Sequence, residues 1–217
     1  MLPLGIFGGT FDPIHFGHLR AAFELAEVLA LEQVLFVPAA DPPHREAPLV
    51  GAAQRLAMVR AAIEGEPRFV ADDRELRRAG PSYTVLTLEE LRAEQGARPL
   101  VLLLGLDAFE GLATWHRWGE LLTLAHIAVA RRPGAALPSS GALAALLEQR
   151  GEADPRRLQA SPAGCLFVHP GTQLDISSTE VRTALGAGRD PRYLMPDAVR
   201  RMILDTGNYA RPGEAEG

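Results

Sequence analysis

The chain has 217 residues, 47% of them hydrophobic and 23% charged, the balance of a globular α/β domain with a core of its own. A net charge of −5 gives no overall attraction for nucleic acid, and the one cysteine, Cys165, excludes an intramolecular disulfide framework. The most apolar runs, residues 100–106 and 121–130, are too short and too interrupted to span a bilayer, and no signal peptide is visible, so the expectation is a cytoplasmic protein with no membrane partner. Every Lys-or-Arg position is arginine; cationic contacts to phosphate must therefore come from Arg or His, with backbone N–H groups beside them.

Along the chain, strand and helix patterns alternate. Residues 2–7 (Leu2, Leu4, Ile6, Phe7) predict a buried strand ending at the pair Gly8-Gly9. A helix over 17–30 carries Leu19, Ala22, Phe23, Ala26 and Ala30 on one face. A second strand covers 33–38, and a loop stiffened by Pro42 and Pro43 follows. A helix over 52–63 keeps Leu56, Val59 and Ile63 in register, and a short strand spans 68–71. Residues 83–95 form a helix stopped by Gly96. Residues 100–105 are apolar on both faces, as in a central strand covered on each side. Short helices are expected at 107–112 and 115–122, a strand at 126–130, a helix at 140–150 and a loop over 151–163. A last strand at 165–168 precedes helices from 176 through 185 and from 196 to 206. Residues 1–210 read as one domain and 211–217 as a frayed tail.

This alternation predicts an open, doubly wound parallel sheet with helices on both faces and a small C-terminal helical part. Ligands of such sheets bind at the carboxyl ends of the strands. That rule selects residues 8–18, 38–45, 105–107, 131–132 and 177–182. In the first of these, Gly8 and Gly9 allow close backbone approach, and a helix start just beyond offers unpaired N–H groups to a phosphate. His15 and His18 share a face of that first turn. A bare turn is the competing reading of Gly8-Gly9. Zinc is a competing reading of the histidines, but no third ligand stands out, so no metal site is assigned.

Two signatures carry a resemblance. His15-Phe16-Gly17-His18 matches the His-x-Gly-His signature of a nucleotidyltransferase superfamily, and Ile176-Ser177-Ser178-Thr179-Glu180-Val181-Arg182 matches its Ile-Ser-Ser-Thr-x-x-Arg signature. Within it the chain resembles the bacterial nicotinate-nucleotide adenylyltransferases. Pro42-Pro43-His44-Arg45, Glu75-Leu76, Pro81-Ser82-Tyr83-Thr84, Gly105-Leu106-Asp107, Thr114-Trp115 and Arg131-Arg132-Pro133-Gly134 carry that match over nearly the whole chain. Arg45 stands where many relatives have lysine, and Leu106 where a small or amide residue is common.

The resemblance implies a Rossmann-like nucleotidyltransferase fold. It implies direct attack of nicotinate mononucleotide on the α-phosphorus of ATP, with Mg²⁺ accompanying the nucleotide. His15, His18 and Arg182 would be catalytic. Gly8, Gly9, Thr10, Arg45, Gly105, Asp107, Ser177, Ser178 and Thr179 would hold ATP. Tyr83 and Thr84 would hold the nicotinate carboxylate through backbone N–H groups, Trp115 would stack on its ring and Arg132 would meet its phosphate. Structural readings stand beside these: helix caps for Asp107 and the serines, core packing for Trp115, a solvated surface position for Arg45. Cys165, His126 and His169 are read as structural. Nicotinamide mononucleotide or phosphopantetheine as acceptor, or a non-catalytic nucleotide sensor, are the alternatives; the sequence leaves open the oligomeric state, a homodimer included.

Overall fold

The structure is a computed structural model that describes residues 1–42, 47–131, 134–172 and 174–209. Its strands are β1 (Leu4–Gly9), β2 (Gln33–Pro38), β3 (Phe69–Ala71), β4 (Leu100–Gly105), β5 (His126–Arg131), β6 (Gly151–Glu152) and β7 (Leu166–Pro170). They form one sheet in the order β3-β2-β1-β4-β5-β7-β6, and every pairing is parallel. The helices are α1 (Phe16–Val28), α2 (Ala52–Ile63), α3 (Arg74–Arg77), α4 (Thr84–Gln95), α5 (Leu106–Glu110), α6 (Leu121–Leu124), α7 (Gly141–Arg150), α8 (Ser178–Gly186) and α9 (Asp197–Thr206).

The period-two alternation of the strands divides their side chains between two cores. Val34, Phe36, Val101, Leu103 and Ala128 face a layer holding Leu25 of α1, Val59 of α2, Val181 of α8 and Val199 of α9. Their neighbours Leu35, Val37, Leu100, Leu102 and Ile127 face the opposite layer, with Leu88 of α4, Phe109 of α5, Leu121 of α6 and Leu143 of α7. The doubly wound sheet expected from the sequence is therefore present. Among the described residues no helix is long and apolar enough to cross a membrane.

Strand order reverses between β1 and β4. From β1 the chain winds through β2 to β3; from β4 it winds the other way through β5 to β7. The crevice over the carboxyl ends of β1 and β4 is thus the switch point where such sheets bind ligands.

Several boundaries differ from the sequence reading. β1 begins at Leu4, because Leu2 is exposed, and it runs on through the glycines, Gly8 pairing with Val37 and Gly9 with Pro38. Helix α1 starts and stops earlier than expected; Ala30, at φ +49°, has already left the helix. The helix expected at 115–122 is broken by Arg117 at φ +52°, leaving a 3₁₀ turn at Trp118–Glu120 and then α6. The stretch expected to be a loop contains β6, an edge strand too short for any periodicity, and a 3₁₀ turn over Pro155–Gln159 that buries Leu158. Helix α3 was not expected. The proposed tail, residues 211–217, lies outside the described residues.

Candidate active site

Gly8, next to last in β1, has open space where a Cβ would stand and so exposes bare backbone. At Gly9 a Cβ would lie 3.0 Å from the Phe11 ring. Phe11 and Ile14 then bury themselves under the turn, and His15, in extended conformation, is the N-cap of α1. The Nδ1 of His18 accepts from the His15 backbone N–H at 3.3 Å. A neutral His18 therefore carries its proton on Nε2. The two imidazoles stack, with centroids 3.7 Å apart and planes inclined 27°.

His15 is buried, and its Nδ1 has no hydrogen-bond partner among the described residues. Burial lowers its pKa to about 4 against an opposing pull from Glu180, so the ring is neutral at pH 7. Gly17 allows this packing. A Cβ there would sit 3.0 Å from the His15 ring and 3.2 Å from the Ile176 carbonyl, so the approach to α8 depends on glycine.

Helix α8 opens with a capping box. Ser177 Oγ accepts from the Glu180 N–H at 3.1 Å, and Glu180 Oε2 accepts from the Ser177 N–H at 3.0 Å. The cap expected from the sequence is present, and it leaves other helix-start N–H groups without an intrahelical acceptor. Ser178 Oγ donates to the Pro13 carbonyl at 3.0 Å. Arg182 Nη1 donates to the Asp12 carbonyl at 2.7 Å, and Nη2 to Thr179 Oγ1 at 3.3 Å. The two signatures, more than 160 residues apart in sequence, thus meet: His15, His18, Ser177, Ser178, Thr179 and Arg182 gather around one turn.

Sequence reasoning missed the group beneath them. Arg55 of α2 is 1% exposed; it donates to the carbonyls of Thr10 and Ala39 at 2.6 Å and of Val50 at 2.9 Å. Its guanidinium joins the β1 turn to the β2 turn. Asp12, also buried, was passed over inside the motif. No pattern marks Arg55, since its partners are backbone carbonyls.

Two further expected ATP residues stand at the end of β4 and just after it, and the described acceptor residues are Tyr83, Thr84 and Trp115. Gly105 is the N-cap of α5, while Asp107 is exposed on the first helical turn; the N-cap reading of Asp107 is corrected, because α5 starts one residue before it. Tyr83 is the N-cap of α4, and its ring stacks on His116 at 4.2 Å. The Tyr83 N–H is taken by the Pro81 carbonyl at 3.0 Å; Thr84, the first helical residue, keeps an N–H with no intrahelical acceptor. Ser82 Oγ accepts from the N–H of Ala40 at 2.9 Å, fixing this turn to the end of β2. Trp115 is half-buried against the second core. Arg45 and Arg132 lie outside the described residues. Among those residues no group of three or more His, Cys, Asp or Glu could hold a metal ion. A separate apolar groove of about 310 Å³, lined by Leu19, Phe23, Phe69 and Leu174, holds none of the expected side chains.

The sequence model of the cytidylyltransferase-like family matches residues 6–184. A protein of Halorhodospira halophila is 48% identical over 211 residues, covering 96% of each chain. One from Dechloromonas aromatica is 52% identical over 213 residues, covering 95% of this chain and 97% of its own. Both bear the name "Probable nicotinate-nucleotide adenylyltransferase". Among solved structures, the Plasmodium falciparum nicotinic acid mononucleotide adenylyltransferase complexed with NaAD superposes with a TM-score of 0.72 at 15% identity, covering 96% of this chain and 98% of that one. The fold, the meeting of the two signatures and these full-length likenesses lead to one conclusion: the chain belongs to the cytidylyltransferase-like family and, within it, to the nicotinate-nucleotide adenylyltransferases.

Proposed function

We propose that the protein transfers the adenylyl group of ATP to nicotinate mononucleotide. The 5′-phosphate oxygen of the mononucleotide attacks the α-phosphorus of ATP, the bond from that phosphorus to the bridging oxygen breaks, and pyrophosphate leaves with the electron pair. The products are pyrophosphate and nicotinate adenine dinucleotide. The observation that carries this reading is the docking of Ser178 and Arg182 on the carbonyls of Pro13 and Asp12, which sets a guanidinium and two helix starts beside the stacked histidines. No side chain need form a bond to substrate. The requirement is to hold two anions together and to meet charge growing on the transferred phosphoryl group.

Each group suits part of that requirement. Neutral His15 offers a ring N–H without adding a charge that its burial opposes. His18 presents its Nε2 proton, because Nδ1 is already an acceptor, and in this reading it meets the α-phosphate in the transition state. Arg182 and the starts of α1 and α8 supply positive field to the polyphosphate. Gly8, Gly9 and Thr10 line it with backbone, and Arg45 adds charge. A divalent ion, Mg²⁺ in this reading, arrives on the triphosphate as part of the substrate and neutralises it. Gly105 and Asp107, at the end of β4, meet the adenosine ribose.

On the acceptor side, with the Tyr83 N–H engaged by Pro81, recognition of the nicotinate carboxylate rests on the Thr84 N–H and the start of α4. Trp115 stacks on the ring and Arg132 meets the phosphate. The Plasmodium relative is complexed with NaAD, the dinucleotide that this reaction would form, which supports the choice of acceptor. Incubation with ATP, Mg²⁺ and nicotinate mononucleotide, followed by mass analysis, is expected to yield the dinucleotide and pyrophosphate in equal amounts. Nucleotide binding without any product would leave a non-catalytic nucleotide sensor.

A further inference from the structure

The buried polar group beneath the histidines reaches the C-terminal segment. Asp12 is 5% exposed, and its carboxylate is held on both oxygens. Oδ1 accepts from the Tyr209 hydroxyl at 2.6 Å, and Oδ2 from the Leu49 N–H at 2.9 Å. The carbonyl of the same residue carries the Arg182 guanidinium. Tyr209 follows α9 by way of Gly207, which adopts φ +66°, and its ring rests on the core shared by α1, α2, α8 and α9. Burial and the neighbouring carboxylate push the Tyr209 pKa far up, so the hydroxyl stays a donor throughout the physiological range.

We propose that Tyr209 is a positioning residue for Arg182, acting through Asp12. A carboxylate tied on both oxygens cannot turn without losing two hydrogen bonds to a charged acceptor. The Asp12 backbone turns with it, and the carbonyl that seats Arg182 is part of that backbone. Arg55 encloses the same turn from below by holding the Thr10 carbonyl. Tyr209, a residue of the segment after α9, thereby sets the direction of the guanidinium that meets ATP. This inference rests on the reading of Arg182 as an ATP contact.

Tyr209→Phe keeps the ring and removes only the hydroxyl. Turnover is expected to fall about tenfold, the scale of one hydrogen bond to a charged group. The KM for nicotinate mononucleotide should stay within about twofold, since the acceptor side is untouched. In an Arg182→Ala background the same substitution is expected to change turnover by less than about twofold, because its effect passes through the missing guanidinium. Equal losses in the two backgrounds would overturn the proposal and leave Tyr209 a general support of the fold. Asp12→Asn is the second variant and should show the same dependence on Arg182. Calorimetric affinity for ATP alone, without acceptor, repeats the cycle independently of the reaction. If the wild type made no product, the functional reading would fail while the calorimetric cycle still decided this one, additive losses again overturning it.

Discussion

His15 and His18 sit on one turn but contribute differently. His18 is fixed through Nδ1, which accepts the His15 backbone N–H, whereas His15 is buried and kept neutral. Removing a donor aimed at developing charge costs about 10²–10³ in turnover. His18→Ala is therefore expected to lose that much while its melting temperature stays close to the wild type's. Near-normal turnover in the folded variant would remove His18 from the mechanism. His15 also makes a prediction about pH. Its folded pKa of about 4 lies below the ordinary 6.5, so between these values the unfolded chain takes up a proton that the folded chain refuses. Stability is unaffected above about pH 6.5 and falls as pH drops toward 4, by at most about 3 kcal/mol. Buried His126, also shifted down, acts in the same direction. Urea midpoints at pH 7.5 and 4.5 should therefore fall further in the wild type than in His15→Gln; equal falls would place the effect elsewhere. At this scale the sequence was informative about residues that lie close along the chain: His15 and His18 do share a turn, and Ser178 and Arg182 do face the same loop. It was silent where a partner is a carbonyl or lies far along the chain: Tyr209 meets Asp12 across 197 positions.

The contact between the start of α1 and the start of α8 assembles the site. Its tolerance is narrow at Gly17, where a Cβ would press on a ring and on a backbone carbonyl that cannot swing away. Gly17→Ala is expected to cost about 1–3 kcal/mol by overpacking and to lower turnover by parting the two helix starts. A variant with unchanged stability and turnover would show that the contact is not needed. Arg55 acts between elements too. Arg55→Ala leaves the carbonyls of Thr10, Ala39 and Val50 without their buried donor and should destabilise by about 3 kcal/mol or more. Arg55→Lys should recover little, since a single ammonium cannot reproduce the planar fork; full recovery in a denaturant titration would contradict this geometry. The cap of α8 and the unbroken apolar run of β4 could be read directly, because both are local patterns. Strand β6 and helix α3 could not, being shorter than the periods that would reveal them. The stretch at 115–122 misled because its spacing is helical while Arg117 is left-handed.

At the scale of the molecule, the two ends of the sheet have separate tasks. The carboxyl ends carry the proposed site, and the amino ends carry Arg92. This half-buried arginine of α4 donates to the carbonyls of Gly96, Arg98, Leu124 and Pro162, just ahead of β4, β5 and β7. Arg92→Ala is expected to lower stability by about 2–4 kcal/mol through unpaired carbonyls, with turnover at 25 °C within about twofold of the wild type. A large loss of turnover in a folded variant would contradict this division. Alternation of strands and helices was enough to give the parallel sheet with helices on both faces. The order β3-β2-β1-β4-β5-β7-β6 was not legible, because periodicity says which face a residue takes and nothing of which strand lies beside it.

The central claim is that the carboxyl edge of the sheet joins ATP to an acidic pyridine mononucleotide. Its most direct test is pyrophosphate release from ATP and Mg²⁺ with nicotinate mononucleotide, nicotinamide mononucleotide and phosphopantetheine supplied in turn. The expected result is the highest kcat/KM with the nicotinate form. Preference for the amide, or for phosphopantetheine, would contradict the assignment of the Thr84 helix start to a carboxylate and the proposed function with it.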